Sequence, residues 1–238
     1  MSKLILTRHG QSTWNAENRF TGWVDVGLSK KGEEEAKKSG ELIKKLNIKI
    51  DISYTSYLKR AIETLTIILK TLNLSMKFNT AWELNERHYG SLTGLNKEET
   101  KKKIGEEQFK KYRRSWDVAP PLMAKDSNYL ENFSPLNDGI PKNKIPFTES
   151  LKHTYERVVP FYNFEIKKNL ENGKNILISA HGNSIRALCK YLFDLDKNQI
   201  TKLEIPTGNP MLINFDQKQK VKSCKYLDQE RAKDLLVF

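Results

Sequence analysis

Two histidine-glycine pairs carry the clearest chemistry in the sequence, because each follows a short apolar run. One run, at positions 4–6, leads into Arg8 and His9, and another, at positions 176–180, leads into His181. A histidine with one ring nitrogen bound to a backbone carbonyl keeps a lone pair on the other and can act as a nucleophile. The guanidinium of Arg8 suits the oxygens of a phosphoryl group. A lone histidine after a strand is commonly incidental, but the repetition favours a catalytic pair.

The two apolar runs predict the elements that position this pair. Short, predominantly apolar runs are typical of central parallel strands that are buried on both faces, and open α/β sheets bind ligands beyond the carboxyl ends of such strands. We therefore predict an α/β fold, a three-layer sandwich whose mainly parallel sheet is flanked by helices. The 238 residues contain no linker-like stretch, so we expect one catalytic domain over residues 1–238.

Apolar periodicity and capping residues predict the other elements. Ser29 is the expected N-cap of a helix that ends near Leu46, and Thr55-Ser56 are expected to cap the helix that carries Arg60. A stretch at 124–147, rich in Asn, Pro, Lys and Asp, predicts a long loop. The remaining predictions are strands at 50–54, 76–78, 211–215 and 221–226, helical segments at 96–114 and 151–170 with a kink at Pro160, and a helix capped by Asn183-Ser184 and running to Phe193.

Composition narrows the classes of partner. The net charge of +12 is compatible with nucleic acid, an anionic membrane surface or small polyanionic substrates. The lysines are mostly dispersed and no nucleic-acid fold signature is present, so we expect neither nucleic acid nor a membrane as partner. Two cysteines give no disulfide framework, and the four histidines lack metal-ligand spacing. Without a signal-peptide core or an apolar run of about 18 residues, a cytoplasmic protein is expected.

An ordered set of motifs carries a resemblance to a known family. Arg8-His9-Gly10 with the later His181-Gly182 resembles the histidine phosphatase superfamily. Within it, the chain is most similar to the cofactor-dependent phosphoglycerate mutases, and the similarity extends over nearly the whole chain. The blocks that carry it are Arg8 to Gly22, Tyr54 to Ala61, Leu84 to Gly90, Gly94 to Lys97, Arg113-Arg114, Thr148 to Leu151 and Ile205 to Gly208.

The resemblance implies an enzyme that interconverts 3-phosphoglycerate and 2-phosphoglycerate in glycolysis and gluconeogenesis. His9 is expected to carry the phosphoryl group as a phosphohistidine primed by 2,3-bisphosphoglycerate. Arg8, Arg60 and His181 are expected to surround the oxygens of that group, and Glu86 to move the proton of the substrate hydroxyl. From the residues alone, Glu86 could be the ion-pair partner of Arg87 or a lysine, and Arg60 is better explained as a surface residue. Both catalytic roles therefore depend on the resemblance.

The resemblance also implies a set of substrate-binding residues and excludes a metal. The expected partners are small phosphorylated acids, and we also expect a homodimer or higher homo-oligomer. Gln11 stands where the family usually has Glu, and the loop around 128–144 diverges, so a bisphosphoglycerate phosphatase or synthase-like relative is an alternative. A non-catalytic basic binding protein is another, which the set His9, Glu86 and His181 disfavours. The expected substrate-binding residues are Asn15, Thr21, Gly22, Tyr89, Lys97, Arg113, Arg114, Gly182 and Asn183.

Overall fold

The computed structural model describes residues 2–129 and 139–232 of the chain. Part of the predicted 124–147 loop, residues 130–138, lies outside the described residues. The strands are β1 Lys3–Arg8, β2 Ile52–Thr55, β3 Asn79–Thr80, β4 Ile176–Ala180, β5 Met211–Phe215 and β6 Val221–Tyr226. The α-helices are α1 Thr13–Ala16, α2 Lys30–Lys44, α3 Lys59–Thr71, α4 Lys97–Ile104, α5 Glu106–Arg114, α6 Leu151–Phe161, α7 Lys167–Glu171, α8 Gly182–Leu192 and α9 Lys197–Lys202.

The six described strands form one mixed sheet in the order β3-β2-β4-β1-β5-β6. Its first four strands are parallel, whereas β5 and β6 run antiparallel to their neighbours. Arg8 at the end of β1 is paired with Ala180 at the end of β4, and the His9 N–H donates to the Ala180 carbonyl at 3.0 Å. This register brings His9 and His181 to the same edge of the sheet, as the two apolar runs predict.

Side chains of β1 alternate between two apolar layers. Leu4 and Leu6 pack in a core with residues of α6 and α8, and Ile5 packs in a second core with residues of α2 and α3. All three are at most 1% exposed, and burying an aliphatic side chain of this size contributes about 1.5–3 kcal/mol. Helices therefore cover both faces of the sheet, which confirms the predicted three-layer α/β fold. Among the described residues, no helix is long and apolar enough to cross a membrane.

Capping residues explain some helix starts and correct others. Ser29 caps α2 as predicted, since its hydroxyl accepts from the Gly32 N–H at 3.1 Å. The predicted cap at Thr55-Ser56 is wrong, because the N-cap of α3 is Leu58. Ser56 instead accepts from the Leu58 N–H and contacts a histidine ring. Similarly, the N-cap of α8 is His181, two residues before the predicted cap at Asn183-Ser184. The His181 N–H donates to the Ser184 hydroxyl.

Three further boundaries differ from the predictions. The short edge strand is Asn79–Thr80 rather than 76–78, and the lysine-rich helical segment is divided at Gly105, which adopts φ +80. The regular α-geometry of α6 stops just after Pro160, and residues Tyr162–Ile166 form a π-helix before α7. Proline has no N–H to donate to the preceding turn, and the π-helix begins two residues after it.

The loop that follows β1 packs against the N-terminus of α2 through two glycines. A Cβ at Gly10 would lie 2.1 Å from the Gly32 carbonyl oxygen, and a Cβ at Gly32 would lie 2.0 Å from the Gln11 carbonyl oxygen. These distances are far below van der Waals contact, so only glycine fits at either position. The close backbone contact fixes the loop that carries His9 on the end of a long helix.

Candidate active site

One pocket lies at the carboxyl ends of β1 and β4 and collects nearly all of the predicted site residues. It is lined by the backbone or side chains of thirteen of the fourteen. The exception, His181, is fully buried beside His9, with its ring centroid 5.0 Å from that of His9. The thirteen are Arg8, His9, Asn15, Thr21, Gly22, Arg60, Glu86, Tyr89, Lys97, Arg113, Arg114, Gly182 and Asn183.

His9 has the geometry of a neutral nucleophile. Its Nδ1 lies 2.6 Å from the Gly10 carbonyl oxygen, which can only accept, so Nδ1 carries the proton and Nε2 keeps its lone pair. Burial, followed by the positive charges of Arg60 and Arg8, holds the pKa of His9 well below its usual value. The ring therefore stays uncharged at neutral pH, with Nε2 unprotonated, as a nucleophile requires.

His181 is held by Ser56, a residue that the sequence pattern predicts to be a helix cap. The Ser56 hydroxyl lies 2.7 Å from its Nε2, and both side chains are inaccessible to solvent. Burial and the nearby Arg60 guanidinium lower the pKa of His181 well below its usual value. The hydrogen bond fixes the imidazole next to His9, so Ser56 belongs to the machinery that positions this pair.

The buried guanidinium of Arg60 and the half-buried one of Arg8 stand beside the histidines. Arg60, 1% exposed, donates to the backbone carbonyls of Val24 at 3.0 Å and Gly22 at 2.7 Å, so it is fixed by the loop that also contributes Gly22 to the pocket. Burial lowers the pKa of Arg60 to about 10, which still leaves it charged at neutral pH. Arg8 donates to the Ile205 carbonyl at 2.8 Å. Both cations therefore have set positions before any ligand binds.

Glu86 is oriented by two backbone donors. Its Oε1 accepts from the Arg87 N–H at 2.8 Å and from the Asn183 N–H at 3.1 Å. Glu86 is 7% exposed. Asn183 lies in the first turn of α8, where unpaired N–H groups favour a carboxylate. The carboxylate is thus fixed between the two segments that line the pocket on either side.

A buried ion pair supports the loop that carries Glu86. Arg157 on α6 pairs with Glu149 through two hydrogen bonds of 2.7 and 3.0 Å, and it donates to the carbonyls of Glu83, Asn85 and Glu86 at 2.6–3.0 Å. Glu149 also accepts from the His88 N–H at 2.8 Å. The loop is therefore held by charge-assisted hydrogen bonds from one helix.

The far side of the pocket is strongly cationic. Lys97, Arg113 and Arg114 line it together with the Tyr89 ring. Burial, followed by the charges of Arg113 and Arg8, lowers the pKa of Lys97 to about 8, so it is still mostly protonated at neutral pH. Asn183 donates to the Tyr89 hydroxyl at 3.0 Å, so the two polar groups are held together. In all, seven Arg and Lys side chains and two carboxylates line the pocket.

Several buried donors of the pocket lack a partner in the described part of the chain. They are the Nε of Arg8, the hydroxyl of Thr21 and the Nε of Arg186. A buried donor without a hydrogen bond costs about 1–3 kcal/mol, and more when it is charged. Because all three residues line the same cationic pocket, this donor set fits an anionic ligand with several oxygens.

The structure adds pocket residues that the sequence did not single out. Arg186 lies one turn beyond Asn183 on α8 and donates to its Oδ1 at 2.8 Å, a spacing from which a shared helix face could have been recognised. Glu204 and Ile205 come from the segment after α9; Ile205 begins one of the blocks that carry the resemblance but was given no role, and Glu204 gave no local signal. The other additions are Arg19 and Phe20. In contrast, the Gln11 amide oxygen accepts from the Ser29 hydroxyl at 2.9 Å, at the start of α2.

Comparison with known proteins identifies the family. The model of the histidine phosphatase superfamily (branch 1) matches residues 4–226. The chain belongs to the histidine phosphatase superfamily. One superfamily relative, a 2,3-bisphosphoglycerate-dependent phosphoglycerate mutase of Pelagibacter ubique, is 59% identical over 238 residues, the whole of both chains. A second, of the same name, from Treponema denticola, is 50% identical over 96% of this chain and 94% of the relative.

Solved structures share the fold of this superfamily member at much lower identity. Mycobacterial hydrolase 1 superposes with a TM-score of 0.71 at 20% identity, covering 95% of this chain and 96% of the hydrolase. This likeness concerns the arrangement of the sheet and helices. The substrate has to be inferred from the pocket and from the more similar relatives.

Proposed function

We propose that this chain is a 2,3-bisphosphoglycerate-dependent phosphoglycerate mutase, which interconverts 3-phosphoglycerate and 2-phosphoglycerate. The observation that carries the proposal is the position of His9, unprotonated at Nε2, between two fixed guanidinium groups and a second buried histidine. The two mutase relatives are 59% and 50% identical over nearly their whole lengths, which supports the same activity.

Phosphoryl transfer begins with attack by Nε2 of His9 on a phosphorus atom of 2,3-bisphosphoglycerate, which supplies the priming group. The N–P bond forms as the P–O bond to the glycerate breaks, and the leaving oxygen takes a proton from Glu86. Arg8, Arg60 and His181 bind the phosphoryl oxygens as charge develops on them, which is the largest contribution that such a site makes to the rate.

The return transfer uses the same groups in the opposite direction. The free hydroxyl of the bound monophosphoglycerate attacks the phosphorus on His9, and Glu86 accepts the hydroxyl proton. The N–P bond breaks, and its electron pair returns to Nε2. Because both monophosphoglycerates meet the same phosphorylated His9, the transfer can run towards either product.

Lys97, Arg113 and Arg114 serve the acceptor in this proposal. They bind the carboxylate and the phosphate that is not being transferred, so that the hydroxyl is aligned with the phosphorus on His9. Alignment of two reactants can lower a barrier by roughly 7 kcal/mol or more in well-oriented systems. Water needs no such alignment, so these cations favour transfer to the acceptor over hydrolysis.

The proposal is tested by trapping the phosphohistidine. Incubation with isotopically labelled 2,3-bisphosphoglycerate should leave one acid-labile, base-stable phosphate on His9, located by mass spectrometry. His9→Ala should remain unlabelled, whereas His153→Gln, which changes an exposed histidine outside the pocket, should label as the wild type does. Equal labelling of the His9→Ala variant would refute the mechanism.

Turnover is measured in a coupled assay on 3-phosphoglycerate, with and without 2,3-bisphosphoglycerate. Product should appear quickly only with the priming bisphosphate, and activity should survive a metal chelator. A labelled enzyme that releases inorganic phosphate without forming 2-phosphoglycerate would favour the phosphatase alternative. A cytoplasmic location and a homodimer or higher homo-oligomer remain predictions from the sequence.

A further inference from the structure

Glu204 is the acidic residue of the pocket that the catalytic proposal does not use. It follows α9 and lines the pocket together with Ile205. Its carboxylate pairs with the guanidinium of Arg114, one of the cations assigned to the acceptor. Among the described residues, neither Lys97 nor Arg113 forms an ion pair with a carboxylate. Arg114 is therefore the acceptor-binding cation that already has an anionic partner inside the protein.

The backbone next to Glu204 is anchored to the catalytic centre, whereas its side chain remains accessible. The Ile205 carbonyl accepts from Arg8 at 2.8 Å, and the Glu204 carbonyl accepts from the Tyr226 hydroxyl at 3.5 Å. The side chain of Glu204 is 54% exposed and that of Arg114 is 23% exposed. The carboxylate can thus leave the guanidinium by rotating towards solvent, without a change in the catalytic residues.

We propose that Glu204 is a specificity-determining residue that competes with the ligand's distal anionic group for Arg114. The inference rests on the proposed function and adds to it a limit on how tightly anionic ligands are held. A ligand must displace the Glu204 carboxylate to reach Arg114, and afterwards the carboxylate still repels negative charge at the pocket mouth. Both effects grow with the charge of the ligand. Glu204 therefore weakens binding of the bisphosphate more than binding of the monophosphate.

Competition between Glu204 and the ligand affects how long the priming bisphosphate occupies the pocket that the monophosphate needs for turnover. A pocket lined by seven cations tends to retain 2,3-bisphosphoglycerate, which has two phosphates and a carboxylate, and a retained bisphosphate blocks the monophosphate. An internal carboxylate that returns to Arg114 assists release of either ligand. We therefore expect Glu204 to act on binding constants rather than on the transfer step itself.

The test is Glu204→Gln, which keeps the shape of the side chain and removes its charge. Calorimetry with 2,3-bisphosphoglycerate and with 3-phosphoglycerate, carried out in a His9→Ala background where no phosphoryl group can be transferred to His9, gives both dissociation constants. An exposed ion pair contributes about 0–1 kcal/mol, equivalent to a factor of up to about five. We expect the Kd of 3-phosphoglycerate to fall by less than about twofold and that of the bisphosphate to fall up to about fivefold. In the activity assay, KM should fall while kcat stays within about twofold of the wild type.

Two further variants separate this role from a general effect of charge. Glu107→Gln makes the same change of net charge at an exposed glutamate on α5, where it pairs with Lys111, and should alter either Kd by less than about 1.5-fold. In an Arg114→Ala background, Glu204→Gln should change the bisphosphate Kd by less than about twofold, because the competition for that guanidinium is gone. Glu204→Asp, which retains the charge, should bind both ligands with nearly wild-type selectivity.

The inference is overturned if Glu204→Gln leaves the ratio of the two dissociation constants unchanged, or if Glu107→Gln changes it equally. A lower melting temperature with an unchanged ratio would identify the ion pair as structural only. These outcomes are distinct from failure of the proposed function, which would appear as a wild-type protein that binds both ligands but gives neither phosphohistidine nor 2-phosphoglycerate.

Discussion

Replacing Glu149 by Gln tests whether the buried ion pair with Arg157 holds the loop of Glu86. Glu149 and Arg157 side chains are only 4% and 8% exposed, so the change leaves a nearly buried guanidinium without its counter-charge. Removing one partner of a buried pair typically costs 3–5 kcal/mol. Since Arg157 keeps its three backbone carbonyl partners, we expect the lower end, about 3 kcal/mol.

In a chain of this length, about 3 kcal/mol corresponds to a fall in Tm of roughly 6–12 °C. The expected fall is measured by thermal melting at pH 7. A matched control is Glu171→Gln on α7, which removes a half-exposed carboxylate from an i,i+4 pair with Lys167 and should lower Tm by less than about 2 °C. The stability of each variant is compared by Tm. Activity is assayed at a temperature well below the onset of melting.

Catalysis gives the second readout of the same variant. Because Arg157 also binds the Glu86 carbonyl, loss of its counter-ion should disturb the proton carrier, and both kcat and the rate of His9 labelling should fall. Melting of Glu149→Gln within 2 °C of the wild type, with unchanged kcat, would refute the argument. The pair would then be one of those whose desolvation cost cancels its attraction.

Three other predictions follow from the pocket. Changing both Arg113 and Arg114 to Ala should raise the ratio of phosphatase to mutase activity, with both rates measured on one preparation; an unchanged ratio would contradict their role in positioning the acceptor. Burial keeps the pKa values of three histidines, His9, His88 and His181, below the usual value, and that of His88 at about 4. Below about pH 6.5 the unfolded chain therefore binds more protons than the folded protein. Stability from urea titrations should therefore fall with decreasing pH, by up to about 4 kcal/mol per unit, and His88→Gln should reduce this slope by about a third. Raising ionic strength should increase KM far more than it lowers kcat, through screening of the cationic pocket; equal effects on both would exclude electrostatic steering.

Local sequence patterns were sufficient for the centre of the site. The apolar runs before His9 and His181 predicted two buried parallel strands, and the pairing of β1 with β4 confirms that both histidines lie at one edge. The resemblance to a family supplied the residues on other elements, such as Glu86 and Lys97, which line the same pocket. These predictions depended on features within a few residues of each functional group.

Features that depend on distant partners were missed. Ser56 has the sequence of a helix cap, but its hydroxyl contacts His181, and that contact forms only in the folded sheet. Arg157 is one more cation on a helix until the fold places three carbonyls around it. Glu204, which follows α9, pairs with Arg114 at the end of α5, 90 residues earlier in the chain. No periodicity or capping rule encodes such contacts, because they arise from the packing of separate elements.

The pairing of β1 with β4 also determines when the site can form during synthesis. Its two histidines come from opposite ends of the chain, so the nascent protein has no complete site until β4 has left the ribosome. At about 5–20 residues per second, this leaves an interval of roughly 10–30 seconds. Throughout it, strand β1, with its apolar centre Leu4 to Leu6, lacks its neighbours β4 and β5 and presents open backbone groups to other chains. As the first strand to be synthesised, β1 therefore has the longest wait for its partners, and its open edges are exposed long before any phosphoryl group can be carried.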